Sequence, residues 1–348
     1  MRITVEFETK PNANTNIMQP QNINFQNVSG NLIQETKKFL ISLESNAEDV
    51  IEVLRSIWEL SSLYDGYFYK PCKYNVDGID VNVEKLYFLS FYKTGKTWRN
   101  CASTLVGTNK DFSEKRVLDY NEFRNKGRTS GEMFKSLINS YFYIHSEAYE
   151  TINVNHRLSL LLNICDGFVI NTSGPNNNVK ANIAKVIGTA LNSKTVKYGA
   201  SLLGIPSQKM YDALMLERHE IDHYIMKEGS LTDYEANSEA VTKDYINWYF
   251  TYVVELALRI AFLKQIGCEC KDELVEYALN DINDWLILEC DLPEKCKNPC
   301  NKMKQDLKQM CIRMKYRRSF FTTQTSKNIN CLQNNIFDSI ICLGMRAS

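Results

Sequence analysis

Histidine is scarce in this chain, with only four residues in 348. The chain also has no net charge, because forty-one basic side chains balance forty-one acidic ones. This balance excludes a global electrostatic attraction to nucleic acid and leaves a local patch as the only means of binding one. Apolar runs such as Leu158–Cys165 are far shorter than the about 20 residues that cross a bilayer, so no membrane partner is expected.

The first eight residues alternate like a strand and lack the apolar run of a signal peptide. We therefore expect a cytoplasmic protein whose eleven cysteines are reduced thiols in the core. Six cysteines lie between residues 268 and 311, but the pairs among them are Cys268-x-Cys270 and Cys296-x3-Cys300, and no histidine follows residue 223. Structural zinc sites usually pair cysteines two residues apart, so we predict neither a metal nor a cofactor there.

The hydrophobic pattern predicts an α+β protein that begins with a mixed α/β region. Residues 1–30 indicate a strand followed by a polar loop, and residues 31–64 carry apolar residues at helical spacing. Residues 67–103 alternate like strands around an Asp77-Gly78 turn. Together these segments predict a mixed α/β N-terminal region, residues 1–125, with a sensor or regulatory role.

A helical period follows a polar, basic boundary predicted at Asp119–Ser130. It predicts an all-α bundle over residues 131–290. The remaining residues, 291–348, form a basic, cysteine-containing tail to which the sequence assigns no role. The segments with helical period are Met133–Ile144, His156–Ile170, Val179–Leu191, Gln208–Met226, Tyr234–Ile266 and Glu273–Leu288.

Two of the four histidines lie in one short stretch, Arg218-His219-Glu220-Ile221-Asp222-His223. Three interpretations of it are open. In the simplest, Arg218 forms an ion pair with Asp222 one helical turn further on. Both histidines are then partly buried structural residues, and the stretch has no chemical role.

The second interpretation is a zinc peptidase. His219 and His223 lie four residues apart, so on a helix they would share one face and could both bind zinc. Glu220 would be the general base, and Glu235 or Glu239 the third ligand. Against this, a carboxylate lies between the two histidines, and an arginine lies directly beside them.

The third interpretation is a metal-free ribonuclease built on Arg218-x4-His223, with the polar His219 directly after the arginine, in an all-helical bundle. Here the chain resembles the HEPN superfamily, and particularly its ApeA-type branch, over roughly residues 135–290. Members most often have asparagine after the arginine, so the chain departs from the pattern at His219. The matching segments are Asn155–Ile164, Leu216–Tyr224 and the closing helix Tyr252–Gly267.

The resemblance implies a metal-independent endoribonuclease of bacterial anti-phage defence, which causes abortive infection by cleaving tRNA or other cellular RNA. The catalytic residues would be Arg218, His223 and His219. His223 can exchange protons near neutral pH, and Arg218 can clamp two phosphate oxygens. His219 would orient His223 or contact phosphate. Cleavage would leave a 2′,3′-cyclic phosphate and a 5′-hydroxyl end, with no cofactor.

The resemblance also implies a homodimer. Residues five apart on a helix point about 140° away from each other, so Arg218 and His223 of one subunit do not easily face the same phosphate. Proteins of this superfamily pair their motif helices across a two-fold axis, which would build each site from both subunits. The competing class is a non-catalytic helical module that binds a nucleotide or a partner.

Overall fold

The chain folds as an antiparallel sheet followed by helices, and it is therefore of mixed α+β class, as predicted. The predicted division into residues 1–125, 131–290 and 291–348 stays a prediction. The described residues all belong to one compact unit, residues 1–292. The computed structural model describes residues 1–8, 18–25, 27–35, 38–45, 50–86, 104–107, 110–125, 132–144, 154–174, 178–223 and 243–289.

Six strands form the sheet, in the order β2-β3-β4-β1-β5-β6, and every neighbouring pair is antiparallel. Alternate side chains point to one buried face, as expected for a sheet with a single solvated side. The strands are β1 Arg2–Phe7, β2 Met18–Phe25, β3 Val28–Glu35, β4 Lys38–Ser45, β5 Pro71–Val76 and β6 Ile79–Val81. The buried face carries Ile3, Val5, Phe7, Ile23, Leu32, Phe39, Ile41 and Leu43, each at most 1% exposed.

The predicted turn at Asp77-Gly78 is confirmed, since it joins β5 to β6. Both residues have positive φ, 50° at Asp77 and 86° at Gly78, as the favoured two-residue hairpin turns require. The side chain of Asp77 also accepts a hydrogen bond from the backbone N–H of Arg2, at 2.6 Å. The turn is thereby attached to the first strand.

The prediction was wrong for residues 18–25, 31–35 and 38–45, whereas the helix predicted in residues 31–64 is confirmed over residues 50–64. Residues 18–25 form strand β2 rather than a polar loop, because asparagines on its outer side face solvent while Ile23 is buried. Residues 31–35 continue β3, residues 38–45 form β4, and the helix begins only at Val50. The apolar residues of these two short strands alternate, but their combined spacing also fits a helix.

Nine α-helices follow or flank the sheet in the described residues. The six predicted helical segments are confirmed where the structure describes them. A seventh helix of the bundle, α6, was not predicted; the side chain of Asn192 caps it by accepting from the backbone N–H of Lys194. The helices are α1 Val50–Asp65, α2 Glu114–Asn125, α3 Glu132–Tyr143, α4 Val154–Ser173, α5 Val179–Ala190, α6 Ser193–Leu202, α7 Met210–His223, α8 Lys243–Gln265 and α9 Asp272–Glu289.

The first part of the predicted boundary at Asp119–Ser130 is helical, because residues 119–125 belong to α2. Tyr120, Phe123 and Arg124 of that segment are buried, and α2 packs against α1 and α3. Residues 119–125 therefore belong to a packed helix. Residues 126–130 fall in a gap of the described chain.

Helix α1 is buried on nearly every side, with 14 of its 16 residues inside the protein. It contacts strand β4 as well as α2 and α8. Its buried carboxylates have partners: Glu59 accepts from the hydroxyl of Tyr120, and Asp65 accepts from the ammonium of Lys110. Burial of polar groups is tolerated when they are hydrogen-bonded. The sheet and the helices thus share one core around α1.

Helix α8 is buried over most of its length. Its segment Ile246–Gln265 is long and apolar enough to cross a membrane by composition, a run that the sequence analysis overlooked, but 94% of the apolar window is buried inside the protein. Polar residues recur along α8 at intervals of four. These residues are Asn247, Thr251, Glu255 and Arg259, each at most 1% exposed.

Arg259 connects α8 to the end of α1. Its Nε and Nη2 donate to the carbonyl oxygen of Leu63 at 3.1 and 3.0 Å, and Nη2 also donates to that of Tyr64 at 3.3 Å. The last carbonyl groups of a helix have no partner within the helix. The positive charge of the guanidinium also suits the negative end of the helix dipole. Arg259 therefore satisfies the C-terminal end of α1 where water does not reach.

We expect Arg259→Met to lower the free energy of unfolding by about 3 kcal/mol, because the buried carbonyl group of Leu63 loses its donors. Urea unfolding followed by circular dichroism measures this change. Lys180→Met is the matched control, since it removes an exposed cation paired with Asp212 and should cost less than about 1 kcal/mol. Equal effects of the two substitutions would contradict the capping role.

A pH dependence is expected from Asp281 of α9. Burial, and then the charge of Asp284, raises the pKa of Asp281 from 3.8 to about 6. The folded state therefore binds this proton more tightly than the unfolded state, and the resulting stability is present below pH 3.8 and lost as the pH rises through about 6. Relative to wild type, Asp281→Asn should gain ~1–2 kcal/mol of unfolding free energy between acid and neutral pH. Parallel pH profiles of the two proteins would refute this.

Candidate functional site

The candidate motif lies in the second half of helix α7. The first half is anchored in the bundle, since Met210, Ala213 and Leu214 are at most 1% exposed and the helix contacts α4 and α5. Residues 210–223 form one unbroken helix, so the motif residues keep regular helical spacing. The candidate site is therefore attached to a packed element.

Arg218 is held by helix α4. Its side chain is half-buried, and its Nε donates a hydrogen bond to the Oδ1 of Asn163 at 2.5 Å. A bond at Nε fixes the plane of the guanidinium group, whose Nη1 and Nη2 form the edge that can clamp a carboxylate or a phosphate. Asn163 therefore sets the orientation of Arg218 relative to the bundle.

The neighbouring residue Glu217 points into the core. It is 1% exposed, and its Oε1 accepts a hydrogen bond from Nδ2 of Asn247 on α8 at 3.2 Å. Asn247 is itself completely buried. Two successive residues of α7 are thus bound to two different helices, Glu217 to α8 and Arg218 to α4. These bonds fix the rotation of α7 about its own axis and its distance from the core of the bundle.

Helices α4 and α8 are connected by a buried ion pair. Nη2 of Arg157 lies 3.6 Å from Oε2 of Glu255, and both residues are at most 2% exposed. Burial raises the pKa of Glu255, while the charges of Arg157 and Arg259 lower it and leave a net upward shift. Removal of one partner from such a pair costs far more stability than exchange of both for apolar residues.

The two motif histidines are described to different extents. His219 follows Arg218 directly and is half-buried. His223 is the last residue of α7, one helical turn after His219, and only its backbone belongs to the described structure. The helical spacing of Arg218, His219 and His223 is confirmed, while their catalytic roles stay predictions.

The other two interpretations of the motif stay predictions too. The side chains of Glu220 and Asp222, and residues 224–242 with Glu235 and Glu239, fall outside the part of the chain that the structure describes. Within that part, no group of three or more histidine, cysteine or acidic side chains is arranged to hold a metal ion.

Four cysteines lie in the described residues, and all are free thiols: Cys72, Cys165, Cys268 and Cys270. Burial is the main cause that raises the pKa of Cys270 to about 11, so this thiol is protonated at neutral pH. Cysteines 290, 296, 300 and 311 of the C-terminal group are not among the described residues.

Comparison with known proteins gave no relative: no protein-family model matches the chain, and neither do the curated proteins or the solved structures that were searched. A functional proposal therefore depends on the residues of this chain and on their geometry.

The sequence analysis missed the residues that position the motif, namely Asn163, Glu217 and Asn247. A signal for two of them was present. Asn163 is the polar residue within the apolar run of segment Asn155–Ile164, and Asn247 begins a series of polar residues at intervals of four in an otherwise apolar helix. Polar residues on the apolar face of a helix indicate buried hydrogen bonds.

The bond between Arg218 and Asn163 should appear as an energetic coupling. In a double-mutant cycle with Arg218→Ala and Asn163→Ala, we expect a coupling of about 1 kcal/mol in the free energy of unfolding, because the hydrogen bond has one charged partner but is only half-buried. Urea unfolding of the four proteins gives this value. Additive effects of the two substitutions would mean that the contact is absent in solution.

Proposed function

We propose that this protein is a metal-independent endoribonuclease of the HEPN superfamily, of ApeA-like type, with Arg218, His223 and His219 as its catalytic residues. On this proposal the bundle is a HEPN-like domain that acts as a homodimer. The target is RNA, with tRNA as the leading candidate, and the biological setting is anti-phage defence by abortive infection in the cytoplasm.

One observation carries the proposal, the hydrogen bond from Arg218 to Asn163. The two residues lie in two of the three sequence segments that resemble the superfamily, Leu216–Tyr224 and Asn155–Ile164. A contact between these segments supports their interpretation as parts of one site. A half-buried arginine whose guanidinium plane is fixed is also suited to a phosphate group, which presents oxygens in a complementary geometry.

The chemistry needs a base for the 2′-hydroxyl, an acid for the leaving 5′-oxygen, and positive charge near the phosphorane. His223 would exchange the protons, since an imidazole is near half-protonated at pH of about 6.5. Arg218 would stabilise the developing charge on the phosphate oxygens. His219, on the same side of α7 as His223, would orient that imidazole or contact phosphate.

Helix geometry supports the proposed dimer. Over the five residues from Arg218 to His223 an ideal helix advances about 7.5 Å and turns through about 140°. One motif helix alone therefore presents the two groups in different directions. A second α7, related by a two-fold axis, would place an arginine from one subunit beside a histidine from the other.

The decisive experiment is cleavage of a total RNA pool in excess EDTA by wild type, His223→Ala and Arg218→Ala. We expect each substitution to reduce the rate by about 100-fold or more, because each removes a proton-transfer or charge-stabilising group. His145→Ala is the matched control, since it removes a histidine outside the motif. Circular dichroism must show the same helix content in all four proteins.

Three other results would each overturn the proposal. Equal cleavage by wild type and both motif variants would indicate a contaminating nuclease. RNA binding by wild type without cleavage would favour the non-catalytic module. Stoichiometric zinc in the purified protein, with hydrolysis of peptide substrates that EDTA abolishes, would favour the peptidase interpretation.

A further inference from the structure

The outer face of the sheet carries a group of small neutral polar side chains. The register places Asn22 opposite Asn31, and Asn31 opposite Ser42, across three neighbouring strands. Asn24 and Ser29 form the next cross-strand pair on the same face. Asn22, Asn24 and Ser29 are exposed, so the face is open to solvent at these positions.

These five side chains line a groove of about 320 Å³. Its floor is the backbone of β3 and β4, which approach each other closely at Gly30. A side chain does not fit there, because a Cβ at Gly30 would lie 2.0 Å from the carbonyl oxygen of Ser42. The groove is therefore built into the sheet and does not depend on a surface loop.

One side chain of the groove, Asn31, has an unsatisfied hydrogen-bond acceptor. The Oδ1 atom of Asn31 is buried and accepts no hydrogen bond from any described residue. Its neighbour Ser42 is 6% exposed and shares a hydrogen bond of 3.0 Å with the hydroxyl of Thr4. A buried acceptor without a donor costs free energy, which a bound hydroxyl group would recover once the Asn31 side chain turns toward the groove.

We propose that this groove binds a neutral saccharide of one or two sugar units. Asparagine amides present a donor and an acceptor side by side, which suits the vicinal hydroxyl groups of a sugar. The charged residues of the lining are one arginine and one glutamate, Arg2 and Glu44, which favours a ligand without net charge. The volume lies at the lower end of small-molecule sites, about 300–1,000 Å³, and so suits a short saccharide.

Nucleic acid fits the groove less well. Single-stranded RNA is held by aromatic side chains on which the bases stack and by several cations along the backbone. No aromatic residue lines this groove, and Arg2 is its sole cation among the described residues. The proposal is thus separate from the ribonuclease proposal, and each can fail without the other.

The test is saturation-transfer NMR of the full-length protein with glucose, galactose, mannose, N-acetylglucosamine, maltose and cellobiose, followed by titration of any sugar that binds. Asn31→Leu removes the amide and keeps the number and branching of the side-chain heavy atoms. Its matched control is Lys73→Leu, which adds the same leucine to an exposed position of β5 outside the groove. Thermal unfolding of both variants checks that the sheet is intact.

We expect at least one sugar to bind wild type and Lys73→Leu equally, and to bind Asn31→Leu about tenfold more weakly or not at all, as the loss of one hydrogen bond predicts. Two results would overturn the proposal: no binding of any of the six sugars to wild type, or equal binding to Asn31→Leu. Binding of uridine or adenosine in their place would also overturn it, in favour of a nucleoside site.

Discussion

The architecture depends on a single buried guanidinium group. Arg259 lies completely inside the protein, and its donors end helix α1 by binding the carbonyl groups of Leu63 and Tyr64. Helix α1 in turn lies between the sheet and the helices, with almost no exposed surface. A buried charge must have hydrogen-bond acceptors nearby. This contact therefore fixes the position of α8 relative to the end of α1.

Other polar residues of α8 extend this constraint toward the candidate site. One turn before Arg259, Glu255 pairs with Arg157 of α4, and two turns earlier Asn247 binds Glu217 of α7. Apolar contacts alone would let α8 slide or rotate with modest changes in energy, whereas each buried polar pair has one good geometry. The position of α7, which carries Arg218, is thus fixed in part by a helix whose other end binds α1, and α1 packs against the sheet. The buried polar contacts of α8 therefore hold the sheet and the helices in fixed relative positions.

How well the sequence predicted this fold varied with the element. The helices α3 to α5 and α7 to α9 were predictable, because each is long and has a clear apolar stripe. Strands β3 and β4 were not, since eight residues of alternating pattern next to a helix also fit helical spacing. At the site, the spacing of Arg218 and His223 was readable from the sequence. Their partners were not, because Asn163 and Asn247 are distant in sequence and meet the motif only through packing.

The contact that completes α1 joins residues 196 positions apart. A ribosome synthesises chains from the N-terminus at about 5–20 residues per second, so the first half of the protein waits roughly 10 to 40 s before Arg259 exists. During that interval the C-terminal carbonyl groups of α1 lack the donors of Arg259, and the apolar face of the sheet lacks the final packing of the helices. We therefore expect the sheet and α1 to reach their final packing only after the chain has been synthesised through Arg259.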